Sequence, residues 1–192
     1  MSEKLTQPTT AQLEAEVASI SYRTRFGKVL RSTIYVLIIV AAVAVLIATL
    51  WLPILQIYGS SMTPTLEEDE IVVAVKNSHL RTGDVIAFYY NNKMLVKRVI
   101  ASAGQWVNID EDGTVYVDNV EIDEPYLTEK AFGDCDLKLP YQVPDGRLFV
   151  MGDHRATSVD SRNTVVGCVA EEQIVGKIIF CVWPMERLGR VS

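Results

Sequence analysis

The sequence predicts a mainly β protein with a single transmembrane helix near its N-terminal end, followed by an all-β domain. Two observations carry this prediction. Residues 32–52 contain no charged side chain, and the later apolar runs are short and rich in β-branched or aromatic residues. With 192 residues, 49% of them hydrophobic, the chain is long enough for one ordinary domain. These features exclude a wholly disordered chain, a multi-span transporter and a purely soluble cytosolic enzyme.

The uncharged segment 32–52 has the length of a membrane span, because a bilayer core of about 30 Å needs roughly 20 helical residues. Arg23, Arg25, Lys28 and Arg31 lie just before this segment, and the next basic residue after it is Lys76. By the positive-inside rule, residues 1–31 form a cytoplasmic tail and residues 53–192 an extracytoplasmic domain. We therefore expect a single-pass protein of the cell membrane, with residues 1–22 forming a mobile tail.

A cleaved signal peptide is the alternative interpretation of the same segment. It would have a shorter apolar region followed by small residues at a cleavage site. Here the apolar run is long and its exit, LWLP at residues 50–53, is bulky. An uncleaved anchor is favoured.

The predicted strands follow the anchor and are separated by turn-forming residues. They cover residues 71–75, 85–90, 94–100, 106–109, 114–117, 148–151, 164–170 and 174–183. Asn91-Asn92 and Asp112-Gly113 each stand between two such runs and predict hairpins. No long stretch of helical period follows residue 60, so the domain 53–192 is expected to be all-β.

Charge and side-chain spacing exclude several ligand classes. The net charge is −6, and residues 58–192 carry 13 basic and 21 acidic side chains, a balance of 13 − 21 = −8, so no nucleic-acid partner is expected. The acidic clusters 67–70, 110–112 and 118–124 lack the pattern of a calcium loop and are interpreted as solvated turns. His79 and His154 are far apart, and no metal site or cofactor is predicted.

The three cysteines show no metal or redox spacing, since no CxxC motif occurs. Cys168 and Cys181 stand in strand-like runs and are expected to be small core residues. An odd number of cysteines allows one disulfide and one free thiol, but none is predicted for Cys135 or the others.

A serine and a lysine are the candidate catalytic pair. Ser61 lies in GSSMTPTL at residues 59–66, which is not a Gly-x-Ser-x-Gly elbow because Thr63 takes the place of the second glycine. A hydroxyl needs a base before it can attack a carbonyl, and Lys97 lies in the apolar run MLVKRVIA at residues 94–101. Burial there would lower the pKa of the lysine. From periodicity alone, a lysine at a sheet edge with its ammonium in water stays open.

Strand alternation sorts the neighbours of this lysine. It places Leu95, Lys97 and Val99 on one face of the strand and Arg98 on the other. A later loop, GDHRATSVDSR at residues 152–162, follows a predicted strand and is dense in Asp, Arg and Ser. Such a loop is suited to orienting other side chains by hydrogen bonds and ion pairs.

Taken together, these motifs resemble those of the bacterial type I signal peptidases, which are membrane-anchored Ser/Lys endopeptidases. The resemblance covers residues 32–183, and the motifs occur in the order of that family. They are the anchor, GSSMTPTL (59–66), RTGDVIAF (81–88), KRVIA (97–101), GDHR (152–155), SVDSR (158–162) and VGK (175–177).

The resemblance implies a serine endopeptidase that cuts signal peptides from secretory preproteins after small-x-small sites such as Ala-x-Ala. It assigns Ser61 as nucleophile and Lys97 as general base, with the Ser61 backbone N–H in the oxyanion hole. Gly59 stands where some members carry a serine hydroxyl donor. The supporting residues that it implies are Ser158, which would position the lysine, and the pairs Asp153–Arg98 and Asp160–Arg162.

The resemblance also implies pocket walls and partners. The candidate substrate-binding residues are Ile57, Tyr58, Met62, Leu66, Val72, Leu95 and Val96, with plain core packing as the alternative for each. The implied partners are preproteins and the lipid bilayer, and the topology also allows contact with the protein translocation machinery. No metal or cofactor is implied.

Other classes of protein are disfavoured on particular residues. Self-cleaving Ser/Lys regulators carry a soluble DNA-binding domain, whereas this chain has an apolar anchor and an acidic remainder. A catalytically dead relative acting as an assembly or binding factor would have lost the serine or the lysine. The histidine-based eukaryotic-type signal peptidases are disfavoured because Lys97 occupies the position of the base.

Overall fold

The structure, a computed structural model, describes residues 9–76 and 79–191 and contains one long helix followed by short strands. The helix is α1 (Thr10–Trp51). The strands are β1 (Ile54–Gln56), β2 (Ile71–Val75), β3 (Val85–Tyr90), β4 (Lys93–Ser102), β5 (Trp106–Ile109), β6 (Val115–Val117), β7 (Val120–Glu121), β8 (Tyr141–Gln142), β9 (Arg147–Met151), β10 (Val169–Ala170), β11 (Ile174–Trp183) and β12 (Gly189–Arg190). Two 3₁₀ turns cover Glu171–Gln173 and Met185–Arg187. The expected class, mainly β after one N-terminal helix, is confirmed.

Helix α1 contains a stretch that is long and apolar enough to cross a membrane, Arg25–Leu46, with a mean hydropathy of 2.4 and exposed side chains. The helix begins at Thr10, so residues 10–22 of the expected tail are helical; residues 1–8 lie outside the described part of the chain. The reason is that residues 10–52 contain no proline but seven alanines and six leucines, so extending an existing helix costs little. Only Leu52 separates the helix end from Pro53, which disfavours a helical conformation at Leu52.

The strands form two antiparallel sheets within the compact unit 49–192. The larger has the order β1-β2-β11-β3-β4-β9-β10, with β12 paired to β11, and the smaller has the order β7-β6-β5-β8. Both predicted hairpins are confirmed: Asn91 and Asn92 (φ 44° and 61°) join β3 to β4, and Gly113 (φ 88°) lies between β5 and β6. These positive φ values are those that tight hairpin turns require.

One predicted strand is largely wrong. Of residues 164–170 only Val169–Ala170 are extended, because the carboxylate of Asp136 accepts hydrogen bonds from the Thr164 backbone and hydroxyl, and Gly167 adopts a φ of 61°. Four short strands were not predicted from the sequence, namely β1, β7, β8 and β12. Each has only two or three residues, too few for an alternating pattern to be recognised.

The hydrophobic core fixes the segment that carries the serine. Met62 and Leu66 pack with Val72 and Ile178 in one buried cluster beneath residues 57–66. Cys168 and Cys181 are buried, as expected, and all three cysteines are free thiols. The domain thus anchors the short segment between β1 and β2 through two large apolar side chains.

Candidate active site

Ser61 lies in a compact loop, residues 57–66, whose turns are closed by its own backbone. The Thr63 N–H donates to the Ser60 carbonyl (3.1 Å), and the Leu66 N–H donates to the Met62 carbonyl (2.9 Å). Gly59 has a φ of 82°, a conformation that side-chain-bearing residues rarely adopt. The loop therefore presents the half-buried serine from a rigid support.

Lys97, on β4, is brought directly to this serine. Its Nζ lies 2.6 Å from Ser61 Oγ, and the residue is only 3% exposed. The alternative of an ammonium in water is therefore excluded. Burial lowers the pKa of Lys97 below its ordinary value of 10.5. The nearby carboxylates of Asp160 and Asp153 raise this pKa in part, and the positive charge of Arg162 lowers it further. A hydroxyl is thus held within proton-transfer distance of an amine whose charged form is disfavoured.

Arg98 and Asp153 form a buried ion pair beside the dyad. The guanidinium donates twice to the carboxylate, Nε to Oδ1 at 2.9 Å and Nη2 to Oδ2 at 2.7 Å. Thr65 bridges the pair, since its hydroxyl donates to Asp153 Oδ2 (2.5 Å) and accepts from Arg98 Nη2 (3.1 Å). The ring of Tyr126 lies 3.7 Å from the guanidinium carbon, so the cation is covered by a π-face. The pair ties β4 to the serine loop.

Asp160 and Arg162 form a second pair, which shapes the loop 152–162. Both are fully buried; Arg162 donates from Nε to Oδ1 and from Nη2 to Oδ2 of Asp160, each at 2.9 Å. Asp160 Oδ2 also accepts the backbone N–H of Gly152 (2.9 Å), and Arg162 donates to the carbonyls of Phe132 and Arg155. One guanidinium therefore braces the loop 152–162 from within and joins it to Phe132.

Gly152 permits the closest approach between this loop and the serine. A Cβ at that position would lie 2.5 Å from the Ser61 carbonyl oxygen and 2.6 Å from Ser158 Cβ. The His154 N–H donates to the same carbonyl (3.1 Å), so the backbone of Ser61 is tethered to this loop. Any larger residue at position 152 would push the serine loop away.

Ser158 is placed next to the dyad but does not hold the lysine by a hydrogen bond. Its Oγ is buried and has no hydrogen-bond partner among the described residues, while Lys97 Nζ is bonded to Ser61 Oγ. Among the described residues no hydrogen bond joins Ser158 to Lys97, so the positioning role implied for Ser158 stays a prediction.

A cleft of about 520 Å³ opens at Ser61 and runs between two strands. One wall is formed by β1 and the residues that follow it, and the other by residues 93–97 of β4. Five of the predicted pocket residues line it: Ile57, Tyr58, Met62, Leu95 and Val96. The prediction was wrong for Leu66 and Val72, which do not line the cleft and pack in the core. Ile57 and Met62 line the cleft and also belong to that core cluster.

Several site residues were not identified from the sequence. Glu124 is buried and pairs with Arg155, and it accepts a hydrogen bond from the Tyr126 hydroxyl (2.8 Å). Burial and this carboxylate raise the pKa of Tyr126, which stays a neutral donor. The interpretation of cluster 118–124 as a solvated turn is therefore wrong for Glu124, and that of cluster 67–70 for the buried Glu70. No local pattern marks either residue, because their partners are distant in sequence.

The two histidines do not line the cleft at Ser61. His79 and His154 are exposed, and His154 Nδ1 contacts the hydroxyl of Thr157. Across residues 9–76 and 79–191, no group of three potential metal ligands is found.

The chain matches known proteins over most of its length. A family model described as signal peptidase, peptidase S26, matches residues 30–183. Signal peptidase I of Bacillus caldolyticus is 37% identical over 162 residues, covering 74% of this chain and 87% of that protein. Signal peptidase IB of Staphylococcus aureus (strain COL) is 38% identical over 148 residues, covering 67% and 76%. The matched residues 30–183 include Ser61, Lys97 and the loop 152–162.

One solved structure is also similar. The crystal structure of a signal peptidase I from Enterococcus faecalis V583 has a TM-score of 0.45 and 28% sequence identity. The match covers 52% of this chain and 97% of that chain.

Proposed function

The chain belongs to the signal peptidase family, peptidase S26, and is a serine endopeptidase; on this premise we propose that Ser61 and Lys97 cut exported preproteins after small-x-small signal-peptide sites. One observation carries the proposal. The Ser61 hydroxyl lies 2.6 Å from the nitrogen of a lysine that is almost completely buried. This is the arrangement that a serine nucleophile and its general base need.

The proposed reaction begins with Lys97 in its neutral form. Its lone pair takes the Ser61 proton while the serine oxygen attacks the scissile carbonyl, and the resulting ammonium gives that proton to the leaving amine as the peptide C–N bond breaks. An acyl-enzyme ester remains, and Lys97 then activates a water that hydrolyses it. The carboxylates of Asp160 and Asp153, which favour the charged lysine, would stabilise the transient ammonium.

The oxyanion of the tetrahedral intermediate would be held by main-chain donors. The backbone N–H of Ser61 is the first of these. Gly59 carries no side chain, so a second donor must come from backbone or water. Donors fixed in advance stabilise the developing charge without reorganising. The loop turns described above and the tether from His154 keep this backbone in place.

The cleft supports binding of the substrate as an extended strand. Strand β1 pairs only with β2 among the described strands, and β9 pairs with β4 only from Arg98 onward. Both walls of the cleft therefore offer open strand edges, to which a peptide backbone can hydrogen-bond. Next to Ser61, Met62, Leu95 and Val96 form apolar walls suited to small side chains at the first and third positions before the cut.

We expect cleavage to depend on side-chain size at alternate substrate positions. Changing alanine to leucine at the −1 or −3 position of a preprotein should lower kcat/KM at least about tenfold, because a shallow apolar pocket cannot accept the larger group. The same change at −2, which points away in an extended peptide, should have little effect. Cleavage by the detergent-solubilised protein is measured by gel shift. Equal losses at −1 and −2, or none, would contradict the proposal.

We expect the rate to rise with pH. The base works only when Lys97 is neutral, so kcat should increase as the amine deprotonates and level off above its pKa. Because burial lowers that pKa, the midpoint of the rise of kcat with pH should lie below 10.5. The exposed Lys138→Met change should leave the midpoint unmoved. A rate that does not change from mildly acidic to alkaline conditions would be inconsistent with a lysine base.

The anchor gives the proposal a location. The chain is membrane-anchored through its apolar helix, and we propose one pass at residues 32–52, a cytoplasmic N-terminus and an extracytoplasmic domain at residues 53–192. Ser61 follows Leu52 by nine residues, which span at most about 30 Å. The nucleophile would then act near the outer membrane surface, where preproteins leave the lipid or the translocation machinery.

A further inference from the structure

Arg187 contacts the serine loop from outside the span matched by the family model. It ends the 3₁₀ turn Met185–Arg187, whereas the match stops at residue 183. Its Nη2 donates to the carbonyls of Pro64 (2.9 Å) and Thr65 (3.0 Å). Its Nε lies 2.6 Å from Glu70 Oε1, and its Nη1 pairs with Glu67. One guanidinium thus donates hydrogen bonds to two carbonyls and lies at ion-pair distance from two carboxylates of the segment 64–70.

We propose that Arg187 is a positioning residue for the nucleophile, an inference that rests on the proposed function of Ser61. The serine loop is held at two places. On the Ser61 side its carbonyl is bound by the His154 N–H, and on the Thr65 side the hydroxyl is bound to Asp153 and Arg98. Arg187 fixes the backbone at Pro64 and Thr65. This keeps the Thr65 hydroxyl hydrogen-bonded to Asp153 and keeps Ser61 within reach of Lys97.

The charges explain why an arginine is needed. Glu70 is 2% exposed, and a buried carboxylate without a cation would be costly. The planar guanidinium neutralises Glu70 while its other nitrogens reach the carbonyls of Pro64 and Thr65. A lysine ammonium in the same place could pair with the carboxylate but could not also donate to both carbonyls.

Arg187 does not line the cleft at Ser61, so it is not expected to contact the substrate. Its loss should act on the alignment of Ser61 with Lys97 and not on substrate affinity. Small misplacements of reacting groups cost up to about 100-fold in rate. The effect is therefore expected in kcat, with KM nearly unchanged.

The test compares Arg187→Gln, Arg187→Lys and the control Arg190→Gln in the full-length, detergent-solubilised protein. Arg190 is exposed and lies three residues further along, in β12. We expect kcat for an Ala-x-Ala preprotein to fall between about tenfold and 100-fold in both Arg187 variants. The control should behave as the parent. Amide hydrogen exchange of Thr63 and Leu66, whose N–H groups close the loop turns, should accelerate in the Arg187 variants only.

Arg187→Lys decides between positioning and simple charge balance, because it keeps a cation beside Glu70. If Arg187→Lys has the same kcat and the same amide hydrogen exchange as the parent protein, the proposal is overturned. A variant in which only KM changes, or in which exchange becomes faster across the whole sheet, would also overturn it. If Arg187→Gln does not fold, the Arg187→Lys comparison alone still decides. If the parent protein cuts no preprotein, the proposed function fails, while loop exchange still tests the positioning role.

Discussion

Replacing Lys97 by methionine or Ser61 by alanine is expected to lower kcat for preprotein cleavage at least about 10³-fold. Without the amine, the hydroxyl has no neighbour that can take its proton, and without the hydroxyl, no acyl-enzyme forms. Because the two groups act as one unit, the double variant should be no slower than the slower single variant. Rates are measured with purified protein and an Ala-x-Ala preprotein.

The matched control is Ser60→Ala, which removes the neighbouring exposed hydroxyl of the same loop. It should retain cleavage, since the Ser60 contacts that shape the loop come from its backbone carbonyl. Efficient cleavage by Ser61→Ala, or loss of cleavage in Ser60→Ala, would contradict the assignment of Ser61 as the nucleophile.

Loss of activity in Lys97→Met should not come from unfolding. The pKa of Lys97 in the folded protein lies below its unfolded value of 10.5, so between the two values the unfolded chain binds more protons. The free energy of unfolding of the parent therefore rises with pH between the folded and the unfolded pKa of Lys97. At pH values below the folded pKa, the folded protein bears the full cost of burying a charged ammonium. Methionine removes this cost, so the variant should be at least as stable at neutral pH.

Arg162→Leu is expected to lower the free energy of unfolding by about 3–5 kcal/mol, because it leaves the fully buried Asp160 carboxylate without its cation. It also removes hydrogen bonds to the carbonyls of Phe132 and Arg155. Urea unfolding of the full chain in detergent, followed by tryptophan fluorescence, measures the change.

Two comparisons isolate the buried charge in this prediction. Lys130→Gln breaks the exposed pair with Glu121 and should leave the free energy of unfolding nearly unchanged. Adding Asp160→Asn to Arg162→Leu should restore part of the loss, since no lone charge then remains. An Arg162→Leu effect as small as that of Lys130→Gln would show that the pair does not support the loop.

Local signals account for the parts of the fold and site that were predicted correctly. The Asn91-Asn92 turn and the uncharged stretch before residue 53 act through neighbouring residues, so the β3–β4 hairpin and the apolar helix were recognised. The family resemblance, which the match to peptidase S26 confirms, named Ser61 and Lys97, and the structure brings them together.

The parts that were missed depend on long-range packing. Glu124 is 31 residues from Arg155, and Arg187 more than 100 residues from the carbonyls it binds, so neither pairing leaves a local pattern. Leu66 and Val72 are apolar whether they form a pocket wall or a core, and only the packing of the sheet decides between these. The N-terminal end of α1 at Thr10 was also missed. It depends on the low cost of adding residues to a helix that has already formed further along the chain.

The measurement that tests the account most directly is the titration of Lys97 itself. NMR of the protein labelled with ¹³C at lysine Cε gives one titrating signal for each lysine, and the signal missing from Lys97→Met identifies the one of interest. The account predicts that this signal titrates with a midpoint clearly below 10.5, and that the midpoint coincides with that of kcat. A Lys97 midpoint at or above 10.5, with cleavage already at its maximum near neutral pH, would contradict it.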